Sequence, residues 1–452
     1  MPTGPQPTID VPDSVRAVME RLWSHGHAAY VVGGSVRDAL LGRPAEDWDL
    51  TSDARPDRLL AVFPGAVYEN QFGTVAVRQG AAIHEVTTFR TDHDYADFRR
   101  PHRVEFGDDI RLDLARRDFT VNAIAWGREA DADASALVDP FDGVADIDAR
   151  RLRAVGDPGA RFGEDALRMV RAVRLAAVLE LTIEPATLAA IHANARLAAH
   201  VSGERISAEL EKLVAATKPS IGLRLMADTG LLDVVLPELA AQRGVPQNKV
   251  EGEDLFDHTL GTVDAAPAER PVVRLAALLH DVGKPTTLDD GPFRGHEVVG
   301  AEMAQRLLDR LHTPKAATER VVHLVRNHMF QYEQSWGDAG VRRFIQRVGS
   351  EAIDDLFELR RADNIGSGLH PDAHGLDELR DRVGAELAAS VVLDRSRLAV
   401  RGDDLMAELA IPAGPRLGRI LDELLERVVA EPKLNDRATL LLLAESMLTE
   451  DR

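Results

Sequence analysis

Cysteine is absent from this 452-residue chain, which excludes disulfides and thiolate chemistry and leaves any metal to Asp, Glu or His. Uninterrupted apolar runs of the roughly 18 residues that a membrane span needs are also missing. The opening MPTGPQPTIDVPDS lacks a basic, apolar signal, so a cytoplasmic protein with no membrane partner is expected. Lysine is scarce and the positive charge is nearly all arginine, 54 Lys plus Arg against 74 Asp plus Glu, for a net charge of −20. That balance excludes a protein that coats duplexes by general electrostatics, but not one that takes RNA on a local basic surface. The length allows roughly two to four folded units.

Ala28 to Asp53 organises the rest. Tyr30-Val31-Val32 is β-like, and Gly33-Gly34 leads to Ser35, placed to cap a helix that runs through Arg37 to Leu41 and stops at Gly42-Arg43-Pro44. A second short strand is expected to carry Asp47 and Asp49. Residues i and i+2 of a strand share a face, roughly 6.6 Å apart at Cα. Two such carboxylates need a cation, and Mg²⁺ takes carboxylate oxygens while keeping room for phosphates. Backbone N–H groups of the Gly33-Gly34-Ser35 turn favour an anion nearby. A site for metal-bound triphosphate follows.

Around this stretch the spacing of Val15, Val18, Met19 and Leu22 predicts a helix from Pro12 to about His25. A helix is also expected within Ala54 to Pro64, and a hairpin turning at Gln79-Gly80. Glu85, alternating with Val86, is a third carboxylate for the metal. Thr91 to Leu114 is polar and reads as a mobile loop. In Leu114 to Trp126, Arg116, Arg117, Asp118 and Asn122 accompany apolar residues, with Asp118 and Asn122 on one face of an expected helix. Arginines on phosphate and a carboxylate on the ribose 2′-OH would hold a nucleotide.

Helical periodicity dominates beyond about Asp148. From Arg150 to Arg174 seven arginines, including Arg168, Arg171 and Arg174, face Asp157, Glu164 and Asp165. Asp165 and Arg168 are i,i+3 neighbours at an expected helix start, an acceptor and a donor fork suited to a base's Watson–Crick edge. Arg205 and Glu209 are i,i+4 and read as structural, with Arg205 bracing the preceding helix. A second constellation lies between 258 and 363. His280-Asp281 ends an apolar helix, with His258 upstream and His296, His328 and Asp363 downstream. Imidazoles with carboxylates form a ligand set for Mg²⁺ or a first-row ion, whose bound water would attack a phosphoester.

The motifs GGSVRDALLGRPAEDWDLTSD (33–53), RRDFTVNAIA (116–125), DPFDG (139–143), EDALRMVRA (164–172) and RISAELEK (205–212), in this order, resemble the bacterial class II CCA tRNA nucleotidyltransferases, relatives of the poly(A) polymerases. The resemblance covers essentially the whole chain. It implies an α+β fold: a nucleotidyltransferase head with a small mixed β-sheet at 13–148, a helical neck and body at 149–250, an HD-type domain at 251–370 and a helical tail at 371–452. It implies addition of C, C and A to the tRNA 3′ end from CTP and ATP. Asp47 and Asp49 would hold two Mg²⁺, and Asp118 the ribose with Arg116 and Arg117 near it. Asp165 and Arg168 would select the base, and Arg171 and Arg174 would lie by the triphosphate or primer. The loop after Arg90 resembles the element needed to switch from C to A. Residues 258–363 resemble an HD phosphohydrolase module, matched by His258, His280, Asp281 and Asp363, with His296 and His328 of its dinuclear version, and Mg²⁺, Mn²⁺ or Ni²⁺ as its ion. That version often has paired histidines where this chain has Asn327-His328. The alternatives are a poly(A) or CC-only polymerase, or a metal-dependent phosphohydrolase whose head only binds RNA.

Overall fold

Val15, Val18, Met19 and Leu22, spaced three and four apart, are all fully buried along the first helix, α1 (Asp13–Ser24), as that spacing predicts. The computed structural model describes residues 9–45, 47–69, 72–95, 101–247, 249–288, 293–389 and 393–450. The chain divides into two units, Met1–Ala240 and Ala241–Arg452.

The first nine strands of the first unit are β1 (Ala29–Val32), β2 (Asp49–Ser52), β3 (Val67–Tyr68), β4 (Thr74–Gln79), β5 (Ala82–Thr88), β6 (Arg90–Tyr95), β7 (Pro101–Phe106), β8 (Ala125–Arg128) and β9 (Ala136–Val138), and two short ones, Arg151–Leu152 and Thr182–Ile183, pair apart from them. Seven of them form one sheet in the order β3-β4-β5-β2-β1-β8-β9. Only β2 and β5 pair in parallel; the other neighbours are antiparallel, so the sheet is mixed. β1 is buried along its whole length, which explains its unbroken apolar run. Its Tyr30 and Val32 join a cluster with Phe89, Ile110, Leu114 and Ala125.

Between and after the strands lie α2 (Gly34–Leu40), α3 (Pro56–Val62), α4 (Ile110–Ala115), α5 (Gly143–Asp148), α6 (Pro158–Glu164), α7 (Leu167–Leu179), α8 (Pro185–Asn194) and α9 (Gly203–Val214). Antiparallel pairing sets Val32 opposite Asp49. The chain leaving β1 at Gly33 therefore starts α2 beside the residue that opens β2. That register builds the site.

Several expectations need correction. β2 begins at Asp49, so Asp47 precedes the strand rather than sharing it. Ser35 is not the cap of α2: that position belongs to Gly33, and the Ser35 hydroxyl donates back to the Val32 carbonyl at 3.3 Å. The apolar run after Asp118 is not one helix. It makes a 3-10 turn at Thr120–Asn122 and then strand β8, because Ala125 to Arg128 pair with β1. The stretch expected as a mobile loop contains the β6–β7 hairpin and α4. Its Asp97, Arg99 and Arg100 lie outside the described residues. Glu164, Asp165 and Arg168 do not begin one helix either: α6 ends at Glu164, Asp165 is extended, and α7 starts at Leu167.

The second unit is helical among its described residues. Helices Leu255–Ala265, Pro271–Leu279, His296–Arg310, Lys315–Asn327 and Ile353–Gly366 surround the histidines. A separate core of Leu405, Leu424, Val428, Leu440 and Ala444 holds the C-terminal helices. Among the described residues no helix is long and apolar enough to cross a membrane.

Candidate active site and metal centre

A cavity of about 400 Å³ opens in the first unit where β1 hands over to α2. The Gly33-Gly34-Ser35 turn, Arg37, Asp47, Asp49, Arg117, Asp118, Asn122, Arg171 and Arg174 all line it, with Asp38, Pro44 and Lys212. Of these, Asp38 and Lys212 were not picked out from the sequence. Asp38 holds Arg37 through Nε and Nη2, both at 2.9 Å, and a charged residue beside an arginine gives no signal in itself.

Burial raises the Asp49 carboxyl above its ordinary range; Arg117 opposes that shift and Asp47 adds to it. Two neighbouring carboxylates lining one cavity suit a hard divalent cation. Burial alone would raise Asp118 too, but the Arg171 charge, the Asn122 amide and Arg168 outweigh it and hold this carboxyl well below the usual range. Its Oδ2 accepts Arg171 Nε at 2.8 Å, and its Oδ1 accepts the Asn122 amide at 3.0 Å and the Phe119 backbone N–H at 2.9 Å. Asp118 and Asn122 thus meet as the i,i+4 spacing requires, on a 3-10 turn instead of an α-helix. Asn122 also accepts from Arg37.

Glu209 is a second residue that the sequence reading placed elsewhere. It does not pair with Arg205 as the i,i+4 spacing suggested. It is buried between Arg171 and Arg174, at 3.3 and 2.8 Å. Arg205 reaches back to Asp165, in the link between α6 and α7, at 2.7 Å.

Four expected residues stand outside the cavity lining. Glu85 is exposed on β5, on the face it shares with Asp49 by the parallel register. Its carboxyl is raised by partial burial and then by Glu69, Asp49 and Asp47. Among the described residues Asp47, Asp49 and Glu85 do not gather as a three-ligand group. Arg116 turns to Asp113, at 2.8 Å. The side chains of Asp165 and Arg168 do not pair, although the Arg168 backbone N–H donates to the Asp165 carbonyl at 3.1 Å: the Asp165 carboxylate holds Arg205, while the Arg168 guanidinium reaches Glu164 at 2.5 Å and the carbonyls of Arg161 and Arg116 at 3.1 Å.

In the second unit the six expected ligands converge as two sets, His258, His280 and Asp363, and Asp281, His296 and His328. All six are buried. His280 and His328 follow the last turns of their helices, and each Nδ1 donates to the carbonyl three residues back, Ala277 at 2.8 Å and Val325 at 2.6 Å. His258 and His296 do likewise to Gly366 at 3.0 Å and Phe293 at 2.7 Å. A carbonyl only accepts, so each Nδ1 carries a proton and Nε2 is the nitrogen that each ring has for a metal. These Nε2 atoms face one another, at 3.1 Å for His258 and His280 and 3.2 Å for His296 and His328. Asp281 spans both sets: Oδ2 lies 3.1 Å from His280 and Oδ1 lies 3.2 Å from His296. Oδ1 is buried without a hydrogen-bond donor. Converging imidazole nitrogens and an orphaned carboxylate oxygen are what a divalent cation satisfies. Asn327 in place of a histidine does not disturb the second set, since His296 and His328 supply its nitrogens. Lys284 donates to Asp281 Oδ2 at 2.6 Å, and Lys249 lies 3.4 Å from Asp363.

Residues 29–153 match the family described as the Poly A polymerase head domain, residues 180–243 the probable RNA and SrmB-binding site of polymerase A, and residues 254–367 the HD domain. The chain is 36% identical over 424 residues, 91% of each chain, to the CCA-adding enzyme of Geobacillus thermodenitrificans. It is 32% identical over 435 residues, 96% of each chain, to that of Streptococcus suis. Its fold is similar to the crystal structure of the Bacillus stearothermophilus CCA-adding enzyme in complex with CTP, with a TM-score of 0.72 and 28% identity, covering 98% of this chain and 99% of that one. Alike to these bacterial enzymes over nine-tenths of its length, with the head cavity and the histidine centre both in place, the chain belongs to the class II CCA-adding enzymes, kin of the poly(A) polymerases, and carries an HD domain.

Proposed function

We infer that this chain adds C, C and A in turn to the 3′ end of tRNA, taking CTP and ATP without a nucleic-acid template. The observation that carries this is a single cavity in which Asp47 and Asp49, a glycine turn and four arginines converge. Asp47 and Asp49 are the donors for Mg²⁺, which when bound favours ionisation of the attacking 3′-OH and neutralises the departing pyrophosphate. Arg117, Arg171 and Arg174 offer charge-assisted bonds to the triphosphate. Asp118, kept ionised, offers an acceptor to a ribose hydroxyl. Asp165 and Arg168 select the base, which requires them to exchange Arg205 and Glu164 for its edge. Glu85 lies within electrostatic reach of the two aspartates and is a weaker third donor. Because tRNA, CTP and ATP are cytoplasmic, the site of action is proposed to be there too. The working division remains head 13–148, neck and body 149–250, HD domain 251–370 and tail 371–452.

Incubation with labelled CTP and ATP and a tRNA lacking its 3′ end tests this reading. Addition of C, C and A followed by a stop is expected. Long A tracts would indicate a poly(A) polymerase, and a stop after two C residues a CC-only enzyme. Phosphate release alone would indicate a phosphohydrolase whose head only binds RNA.

A second activity is favoured by the converging Nε2 atoms and the orphaned Asp281 oxygen. Metal-dependent phosphoester hydrolysis in the HD domain fits that donor set, with Mg²⁺, Mn²⁺ or Ni²⁺ as the ion.

A further inference from the structure

Asp113 takes no part in the chemistry above, yet it is fully buried on α4. Its Oδ1 accepts Nε and Nη2 of Arg116 at 3.0 and 2.8 Å and the backbone N–H of Arg90, the first residue of β6, at 3.3 Å. Its Oδ2 has no hydrogen-bond donor and faces Arg117 Nη2 at 3.6 Å. Of two consecutive arginines, Arg116 therefore occupies one oxygen and Arg117 is left to line the cavity. The Arg117 Nε is buried without a partner, and Nη1 lies 2.7 Å from where a Cβ on Gly33 would stand. Burial lowers the basicity of this guanidinium, and Asp113 is the largest charge opposing that, ahead of Asp49 and Asp118.

We propose that Asp113 is a positioning residue for nucleotidyl transfer: it aims Arg117 past the Gly33 turn at the triphosphate and ties it to the foot of the β6–β7 hairpin. The proposal rests on the cavity being the nucleotide site. With Oδ1 taken by Arg116 and the Arg90 backbone, the buried Oδ2 is the oxygen left to act on the Arg117 guanidinium.

Single-nucleotide addition by the full chain tests it, with thermal melting alongside. Asp113→Asn keeps the shape and removes the charge; it should raise the KM for CTP roughly tenfold, with kcat changed by less than about threefold. Added to Arg117→Lys, it should cause no further rise, because the same interaction is already broken. Additive losses, or a lowered melting point with KM unchanged, would overturn the proposal. If Asp113→Asn does not fold, Asp113→Glu carries the test, since it keeps the charge and moves it: a KM equal to that of the parent refutes the positioning role. Asp49→Ala separates the two levels. If it abolishes addition while Asp113→Asn has a normal KM, only the Asp113 proposal fails. If addition survives Asp49→Ala, the reading beneath it fails.

Discussion

Asp118→Asn removes one charge from the centre of the cavity network without changing the shape of the side chain. In the parent, Asp118 holds Arg171 at 2.8 Å and accepts from Asn122 and the Phe119 backbone. Breaking a buried ion pair from one side costs about 3–5 kcal/mol. Arg171 keeps Glu209 at 3.3 Å, and its side chain is 34% exposed, so the low end of that range applies. We therefore expect a loss of about 3 kcal/mol. Its pH dependence has a definite sign. The folded carboxyl is depressed, so its contribution is fully present above the unfolded value of about 3.9 and is lost as pH falls through the folded value. Urea unfolding followed by tryptophan fluorescence, with Trp23, Trp48 and Trp126 reporting on the first unit, measures the difference between parent and variant. It should be constant from about pH 8 to 5 and shrink only below about pH 4. A variant within about 0.5 kcal/mol of the parent, or a difference already falling between pH 7 and 6, would refute the argument.

Other perturbations follow from the same geometry. Gly33→Ala places a Cβ on a residue with φ of +79° and against Arg117, so it should cost about 1–3 kcal/mol and raise the KM for CTP; normal stability and KM would show that the turn yields freely. Arg168→Ala should blur the choice between C and A by one to two orders of magnitude, about 1–3 kcal/mol, when competing nucleotides are assayed, and unchanged selectivity would remove Arg168 from that role. Asp363→Asn deletes a donor from one histidine set only, so metal analysis should find one ion weakened by roughly 10–100-fold and the other kept; equal loss of both would mean that the two sets are not separate.

Local patterns in the sequence were legible where the structure is local. The spacing in α1, the turn between β4 and β5, and the helix end that carries His280 need only neighbours to form. The β6–β7 hairpin was not legible. What anchors it is distant in sequence: Arg90 donates to the Phe72 carbonyl and its backbone meets Asp113, while Phe106 fills the space left by Gly73. Phe119 to Trp126 carries apolar residues that serve a helix or a strand equally, and pairing with β1 decides for strand β8. Within the site, residue types were readable but partners were not. Glu209 looked paired with Arg205 four positions away, and it holds arginines 35 and 38 residues distant. Arg116 and Arg117 looked alike until Asp113 divided them.

Diffraction from crystals soaked with CTP and Mn²⁺, read for anomalous signal, tests the central claim most directly. The account predicts manganese against the carboxylates of Asp47 and Asp49, with the triphosphate over the Gly33-Gly34 turn and within reach of Arg171 and Arg174. Well-ordered CTP elsewhere in the chain, or manganese bound only among the histidines of the second unit, would contradict it.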